Sequence, residues 1–274
     1  MTRPQDGSPL PPVWSPALLL ADLAATLRFF SRLPVPRLSR ADDPAALPDF
    51  RRAAALTPLT GLLLALPGAG LLVALSLTAL PPAAAALLAL ALGLAITGAL
   101  HADGLADVAD GFFGAGRREK RLDIMKDSRI GAFGTLALIV ALGLATVLLA
   151  ALVARHGAMA AALAWLGAEG LSRAVMTAVW HALPPARPEG LAAACGAPGR
   201  PALFVACALA LLGLVPAAFA LSPAALVAGT AMAGLAGLAM ARLAMAKIGG
   251  QTGDVLGATQ QVAILAALLG LAMV

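Results

Sequence analysis

Carboxylates are concentrated in one short stretch of an otherwise apolar chain. The stretch 101–131 (HADGLADVADGFFGAGRREKRLDIMKDSRIG) holds six of the fourteen acidic residues. Three of its aspartates are spaced i, i+4, i+7 and would share one face of a helix: Asp103, Asp107 and Asp110. Asp123 and Asp127 repeat the i, i+4 spacing. Because like charges on one helix face repel each other, the spacing predicts that a divalent cation lies between two such faces.

The ligand chemistry of this stretch indicates which cation would bind. Carboxylate oxygens suit Mg²⁺, Mn²⁺ or Ca²⁺, and Mg²⁺ also binds substrate phosphates. The stretch contains no Cys and a single His, His101, so zinc is disfavoured. The alternative is a solvated charged loop between two spans, but repeated helical spacing at the mouth of a span favours a metal site.

Basic residues are interleaved with these acids. Four of them follow the first acidic face: Arg117, Arg118, Lys120 and Arg121. They would either contact anionic lipid head groups or hold phosphates beside the metal, and the sequence leaves both roles open. Lys126 and Arg129 flank Asp127, which favours phosphate binding there.

The composition indicates a membrane protein. Of the 274 residues, 61% are hydrophobic and 12% are charged, with a mean hydropathy of +0.91, whereas soluble domains have about 25% charged residues. The basic residues form no stripe on a soluble face, so no nucleic-acid partner is expected. The two cysteines, Cys195 and Cys207, have no metal-binding spacing. The Pro-rich residues 1–15 predict a flexible tail without a signal peptide.

The apolar segments predict an all-α, polytopic membrane bundle of about seven transmembrane helices. A bilayer core requires roughly 20 apolar residues per helix. The expected spans are 56–80, 83–100, 132–154, 158–181, 201–221, 224–246 and 255–274. Residues 16–31 have apolar residues at helical spacing and predict an interfacial helix, with a short span as the weaker alternative. Residues 16–274 are expected to form a single membrane-embedded catalytic domain.

Charge asymmetry orients the predicted bundle. With the N-terminus in the cytoplasm, the inner segments and their adjoining turns hold seventeen of the nineteen Lys and Arg residues. Cytoplasmic loops are rich in Lys and Arg, so 101–131 is expected to be cytoplasmic. The location in the bacterial inner membrane is implied only by the family resemblance described next.

Two family resemblances follow from these motifs. The pattern DxxDG, followed after eleven residues by DxxxD, is similar to that of the CDP-alcohol phosphotransferases, although its spacing is shorter. A closer resemblance, to the cobalamin synthase (adenosylcobinamide-GDP ribazoletransferase) family, covers nearly the whole chain. It rests on six segments: FFSRLPVPR (29–37), TPLTG (57–61), HADGLADVADGFF (101–113), IMKDSRIG (124–131), SRAVM (172–176) and GGQTGDVLGA (249–258). Asp123 departs from the Glu that is common in the family.

The closer resemblance implies an enzyme that completes cobalamin assembly. The implied reaction joins adenosylcobinamide-GDP to α-ribazole, or to its 5′-phosphate, and releases GMP. It implies Mg²⁺ as the cofactor, with these metal ligands: Asp103, Asp107, Asp110 and Asp127. The candidate proton acceptors are Asp127, Asp123 and His101, the last of which would alternatively orient a carboxylate.

Further substrate contacts are implied for residues in the other family-like segments. Gln251 and Asp254 lie in GGQTGD, and Arg173, which would alternatively pair with Glu169, lies in SRAVM. Arg32 would either cap the active site or anchor the chain to head groups. The expected substrate-binding set is Lys126, Arg129, Arg117, Arg173, Gln251, Asp254 and Arg32.

Two other function classes stay open as alternatives, a lipid-synthesising CDP-alcohol phosphotransferase and a divalent-cation or metabolite transporter. A transporter would place acids near the bilayer midplane, whereas here they cluster at one face. The expected partners are the two small-molecule substrates and membrane lipid, and a homo-oligomer is possible.

Overall fold

The computed structural model describes residues 14–187 and 189–274, so most of the predicted tail 1–15 lies outside the described residues. Within them the chain is helical, which confirms the predicted all-α membrane architecture. The α-helices are α1 (Pro16–Phe30), α2 (Phe50–Ala53), α3 (Thr57–Leu75), α4 (Pro82–Thr97), α5 (Leu100–Gly114), α6 (Arg118–Ile124), α7 (Ala132–His156), α8 (Ala158–Ala182), α9 (Leu191–Ala194), α10 (Arg200–Leu214), α11 (Pro223–Ile248) and α12 (Gly253–Met273).

Helix boundaries follow local capping chemistry. Ser222 begins α11 by accepting a hydrogen bond from the Ala225 amide, with Pro223 in the first turn, where proline lacks only a donor that the helix leaves unused. Thr252 caps α12 in the same way through the Val255 amide. Gly249 ends α11 in the left-handed region, at φ +73°, which glycine adopts without steric cost.

The count of seven spans is not confirmed. Five segments are each long and apolar enough to cross a membrane, namely Phe50–Leu75, Ala132–His156, Arg200–Phe219, Pro223–Ile248 and Gly253–Met273. The bent pair α4 and α5 would make a sixth. Helix α8 covers the predicted span 158–181 but is not among these candidates. It carries Glu169 and Arg173, and much of its surface is buried by other helices rather than available to lipid.

Helices α8 and α12 form the centre of the bundle. Helix α8 contacts α3, α7, α10, α11 and α12, and α12 also contacts α5, α7 and α11. Small residues allow this close packing, as is common between membrane helices. A Cβ added at Gly270 would lie 2.6 Å from the Ala228 carbonyl carbon, so the α11–α12 contact requires glycine there.

A sharp bend separates the apolar helix α4 from the polar helix α5. The two helices meet at 91°, and the residues between them, Gly98 and Ala99, both have left-handed φ values of +61° and +56°. Arg32 packs over this bend: its amide donates to the Ile96 carbonyl at 2.8 Å, and its side chain leaves no space for a Cβ at Gly98. The predicted span 83–100 therefore ends at Thr97, and α5 turns away with the acidic residues.

The predicted helix 16–31 is present as α1, and it has 15 residues. Its two charged side chains form ion pairs with the following segment. Asp22 binds Arg52 at 2.6 Å, and Arg28 pairs with Asp42. These pairs fasten α1 to the segment that leads into α3, and the position of α1 at a membrane surface stays a prediction.

Candidate functional site

The acidic face of α5 packs against the start of α12. A Cβ added at Gly104 would lie 2.8 Å from the Asp254 carbonyl oxygen, and one at Gly257 would lie 3.2 Å from the His101 Cα. Glycine at both positions therefore lets the two helix backbones approach closely. This approach brings the predicted substrate residue Asp254 beside the predicted metal ligands of α5.

The pKa of Asp107 depends on burial and on the negative charges around it. This pKa is raised to about 7, first by burial and then by the negative charges of Asp254, Asp103 and Asp110. We call these four residues the carboxylate cluster. Arg187 opposes the shift. The cluster is thus a concentration of negative charge that a cation would relieve.

Arg187 is a residue that the sequence analysis missed. The turn at Gln251 pairs with the segment before Arg187: the Ala186 amide donates to the Gln251 carbonyl at 2.8 Å, and the Gln251 amide donates to the Pro184 carbonyl at 2.9 Å. This pairing places the Arg187 charge beside Asp107 and Asp254. A single arginine in a Pro-rich loop carries no sequence pattern that would have identified it.

Gln251 contributes mainly through its backbone. Besides this pairing, its side-chain Oε1 is buried without a hydrogen-bond partner. A Cβ added at the preceding Gly250 would lie 2.2 Å from the Pro184 carbonyl oxygen. The GGQTGD motif therefore forms a tight turn that holds the Arg187 loop against α12.

Asp110 has a structural partner as well as a place in the cluster. One carboxylate oxygen accepts the Gly131 amide at 2.7 Å, and the other accepts the Gly134 amide at 2.9 Å. These are amides at the start of α7, which helix geometry leaves without internal partners. A Cβ at Gly131 or Gly134 would lie 2.4 Å from this carboxylate, so Asp110 fixes α7 against α5.

The second predicted acidic face is more exposed. Asp123 is exposed, and Asp127 forms an ion pair with the exposed Arg129 at 2.6 Å. That pair lowers the pKa of Asp127 to about 2. Lys126 and Arg117 are also exposed. Asp127 is not among the charges that shift the pKa of Asp107, so its role as a ligand of the same metal stays a prediction.

Two of the arginines in the basic run hold the helix α6 in place. Arg118 donates to the Ile248 and Ala186 carbonyls, both at 2.8 Å, and Arg121 donates to the Lys247 carbonyl at 2.9 Å. The carbonyls at the C-terminal end of α11 carry partial negative charge. These two arginines therefore have structural partners, although Arg118 is exposed, as Arg117 and Lys120 are.

Arg173 lies inside the bundle and pairs with Glu169 of the same helix. Its side chain packs against Gly61, where no Cβ would fit; this contact joins the TPLTG and SRAVM segments. Both charged residues line a cavity of about 260 Å³, which we call the inner cavity, together with Gln260 and Trp165. The alternative of an intrahelical pair is thus confirmed, and the predicted substrate contact of Arg173 stays a prediction.

His101 lies between the inner cavity and a second cavity of about 230 Å³. We call the second one the aromatic cavity; it is lined by Phe29, Phe30, His101, Met176, Trp180 and Leu256. Burial, together with the positive charge of Arg173, lowers the pKa of His101 to about 3, so the imidazole is neutral. Its Nε2 is buried without a partner.

The carboxylate cluster has the donor atoms of a magnesium site but not its geometry. Its donors are all carboxylate oxygens, which suit Mg²⁺, and burial, together with the neighbouring negative charges, raises the pKa of Asp107. Among residues 14–187 and 189–274, however, no three His, Cys, Asp or Glu side chains form a group that could hold a metal ion. The donor chemistry fits a magnesium ion, and coordination would require the side chains to move.

The fold, the carboxylate cluster and the two cavities that meet at His101 define a helical membrane protein with a carboxylate-rich site. The model of the family described as cobalamin-5-phosphate synthase matches residues 22–272. Proteins from Brucella canis, Brucella suis and Brucella melitensis, each named adenosylcobinamide-GDP ribazoletransferase, are 48% identical over 261 residues. The alignments cover 93% of this chain and 97% of each relative. No solved structure matches the chain.

The chain belongs to the cobalamin-5-phosphate synthase family. It is a membrane-embedded transferase of cobalamin biosynthesis, as the predicted family resemblance implied.

Proposed function

We propose that the chain transfers the adenosylcobinamide-phosphate part of adenosylcobinamide-GDP to a ribose hydroxyl of α-ribazole, or of its 5′-phosphate. The ribose oxygen forms a bond to the cobinamide-side phosphorus, the bond from that phosphorus to GMP breaks, and the hydroxyl proton passes to a base. The products are adenosylcobalamin, or its 5′-phosphate, and GMP. The names of the Brucella relatives support this pair of substrates.

The crowding of Asp107 by three other carboxylates is the observation that carries the proposal. The acids of α5 and the start of α12, whose charges act on Asp107, repel a diphosphate unless a cation neutralises both. Bound Mg²⁺ would neutralise charge on the diphosphate as the phosphorus reacts. Asp103 and Asp107 would hold it with Asp254, whereas Asp110 also holds α7; the predicted fourth ligand, Asp127, would have to approach them.

Basic residues around the carboxylate cluster would bind the phosphates. The positive charge of Arg187 acts on both Asp107 and Asp254, and a guanidinium can donate two parallel hydrogen bonds to phosphate oxygens. The exposed residues Lys126 and Arg117 lie in the adjoining segment, where the guanidinium of Arg129 is already paired with Asp127. Arg32 covers the bend before α5. Transfer of this kind depends on positioning and charge neutralisation.

Three residues were candidates for accepting the hydroxyl proton. Asp127 is a weak base, because its ion pair with Arg129 lowers its pKa to about 2. His101 is neutral and its Nε2 has no partner, so it would accept a hydrogen bond from the ribose hydroxyl and orient it. Asp123 is exposed and lies outside the carboxylate cluster, so we propose that His101, rather than Asp123, receives the hydroxyl proton.

We place the protein in the bacterial inner membrane, with its N-terminus and carboxylate cluster on the cytoplasmic side. The distribution of seventeen of nineteen Lys and Arg residues supports this orientation. Membrane lipid would cover the exposed apolar faces of α7 and α11, where Val140 and Leu235 are examples. A homo-oligomer is compatible with this arrangement.

The test uses purified full-length protein in detergent, adenosylcobinamide-GDP, α-ribazole and Mg²⁺, with GMP release as the readout. Release that requires all three additions supports the proposal. Release from a CDP-alcohol with a lipid acceptor, and none from adenosylcobinamide-GDP, would instead assign the chain to lipid synthesis. Reactions without α-ribazole distinguish transfer from simple hydrolysis.

A further inference from the structure

The aromatic cavity is built like a binding site for a flat apolar ring. Its volume of about 230 Å³ exceeds that of a 150 Å³ engineered cavity that holds benzene. Its walls include Phe30, which lies 5.4 Å from the His101 ring, and Trp180, which packs 4.7 Å from Phe50. Rings in such walls stack on a planar ligand.

Two residues that line this cavity each carry a buried polar atom without a hydrogen-bond partner. Trp180 is 3% exposed and its indole Nε1 makes no hydrogen bond; His101 is 5% exposed and its Nε2 makes none. A buried N–H that lacks an acceptor costs about 1–3 kcal/mol. The indole N–H is a donor only, so it would be satisfied by a ligand that carries a ring-nitrogen acceptor.

The cavity also reaches the carboxylate cluster. Asp103, Arg187 and Asp254 line it together with the aromatic residues. A ligand whose ring fills the aromatic part would therefore have its remaining portion beside the residues proposed to bind the diphosphate. The arrangement suits a molecule made of an apolar aromatic base joined to a sugar.

We propose that the aromatic cavity binds the dimethylbenzimidazole base of α-ribazole, with the indole N–H of Trp180 donating to its free ring nitrogen. This inference rests on the proposed function and assigns the acceptor subsite within it. The base is planar and apolar, carries two methyl groups and has no N–H donor once joined to ribose. Its ribose would extend toward His101 and Asp103, where the hydroxyl meets the diphosphate.

The guanine of the donor fits this cavity less well. Guanine presents several N–H donors and acceptors along its edges, and each one that is buried without a partner costs about 1–3 kcal/mol. The cavity walls offer mainly hydrocarbon and aromatic carbon, from residues such as Phe29, Met176 and Leu256. The guanine is therefore expected to bind outside this cavity.

The experiment compares two Trp→Phe substitutions in the same helix. Trp180→Phe removes the unpaired indole N–H and keeps an aromatic ring. Trp165→Phe is the matched control: Trp165 is also buried, at 2% exposure, but lines the inner cavity and donates to Glu169 at 3.2 Å. Steady-state kinetics give KM for each substrate, and titration calorimetry measures binding of free 5,6-dimethylbenzimidazole. Melting temperatures verify that each variant is folded.

We expect Trp180→Phe to raise KM for α-ribazole by about three- to tenfold, the range for one lost hydrogen bond. KM for adenosylcobinamide-GDP and kcat should stay near wild-type values, and Trp165→Phe should change none of them. A second variant, Ala192→Leu, adds bulk at a buried lining residue and should weaken binding of the free base.

Two results would overturn the inference. One is an equal effect of Trp180→Phe and Trp165→Phe on KM for α-ribazole, with no effect of Ala192→Leu on base binding. The other is a rise in KM for adenosylcobinamide-GDP alone. If wild-type protein binds the free base through Trp180 but releases no GMP, the subsite stands and the proposed function fails.

Discussion

Two sets of aspartates with the same helical spacing lie in different surroundings. Asp103 and Asp107 belong to a helix that packs against α12, where Asp254 and Arg187 add further charge. Asp123 and Asp127 lie in and after the short helix α6, where Asp123 is exposed and Asp127 is paired with Arg129. Spacing identifies residues that share a helix face, but the packing partner of that face decides whether their charge is concentrated.

The largest expected effect separates these two sets by activity. Asp107→Asn should reduce kcat/KM for GMP release by about 100-fold or more, as loss of a charge-stabilising group does. Asp123→Asn, the matched change on the exposed set, should cost less than about threefold. The activities are measured at saturating Mg²⁺ on proteins that are verified to be folded. Equal losses of kcat/KM in the two variants would mean that both sets of aspartates belong to one site.

A smaller effect is expected for the arginines beside each set. Arg187→Gln should raise KM for adenosylcobinamide-GDP by about tenfold, since hydrogen bonds to charged groups contribute about 1.5–3 kcal/mol. Arg129→Gln is the control, because its guanidinium already pairs with Asp127 on the surface. The account of Arg187 fails if the two variants have the same KM.

Asp110 should differ from Asp123 in its contribution to the stability of the fold. Asp110→Ala removes the acceptor of the Gly131 and Gly134 amides and should lower the free energy of unfolding by about 2 kcal/mol. Asp123→Ala should leave the melting temperature in detergent almost unchanged. An unchanged melting temperature for Asp110→Ala would contradict the structural role of Asp110.

The smallest effect is a pH dependence of metal-free protein. Because the pKa of Asp107 is raised to about 7 in the fold from 3.8, the folded state favours the protonated form. The contribution of Asp107 to the free energy of unfolding is therefore present at low pH and is lost as pH rises through about 7. Melting temperatures in EDTA should decline over this range, and the decline should be weaker in Asp107→Asn. Identical pH profiles for the wild-type protein and Asp107→Asn would contradict the raised pKa of Asp107.

Much of the fold was predictable from local sequence. The helices α7, α11 and α12 begin and end within two residues of the predicted spans, because Gly and Ser–Pro breaks interrupt long apolar runs. Helix α8 lies where the sequence predicted the span 158–181, but it is not among the candidate spans of the structure, and its Glu169 and Arg173 line a cavity inside the bundle. The bend before α5 depends on Ala99, which has an unusual left-handed conformation that its residue type does not signal.

The site was predictable in part. Helical spacing indicated the α5 acids, and the family resemblance indicated Asp254. Arg187 and Trp180 were missed because their positions depend on contacts between distant segments, such as the pairing of Ala186 with Gln251. The partners of Asp110 were also missed, although Gly131 and Gly134 lie in the family-like stretch and just after it.

Metal binding tests the central claim most directly. Mn²⁺, which carboxylate oxygens also bind, can be titrated into purified protein and followed by electron paramagnetic resonance of the free ion. We expect wild-type protein and Asp123→Asn to bind Mn²⁺ with similar affinity, in competition with Mg²⁺, and Asp107→Asn to lose that binding. Full binding by Asp107→Asn, together with its loss in Asp123→Asn, would contradict the account.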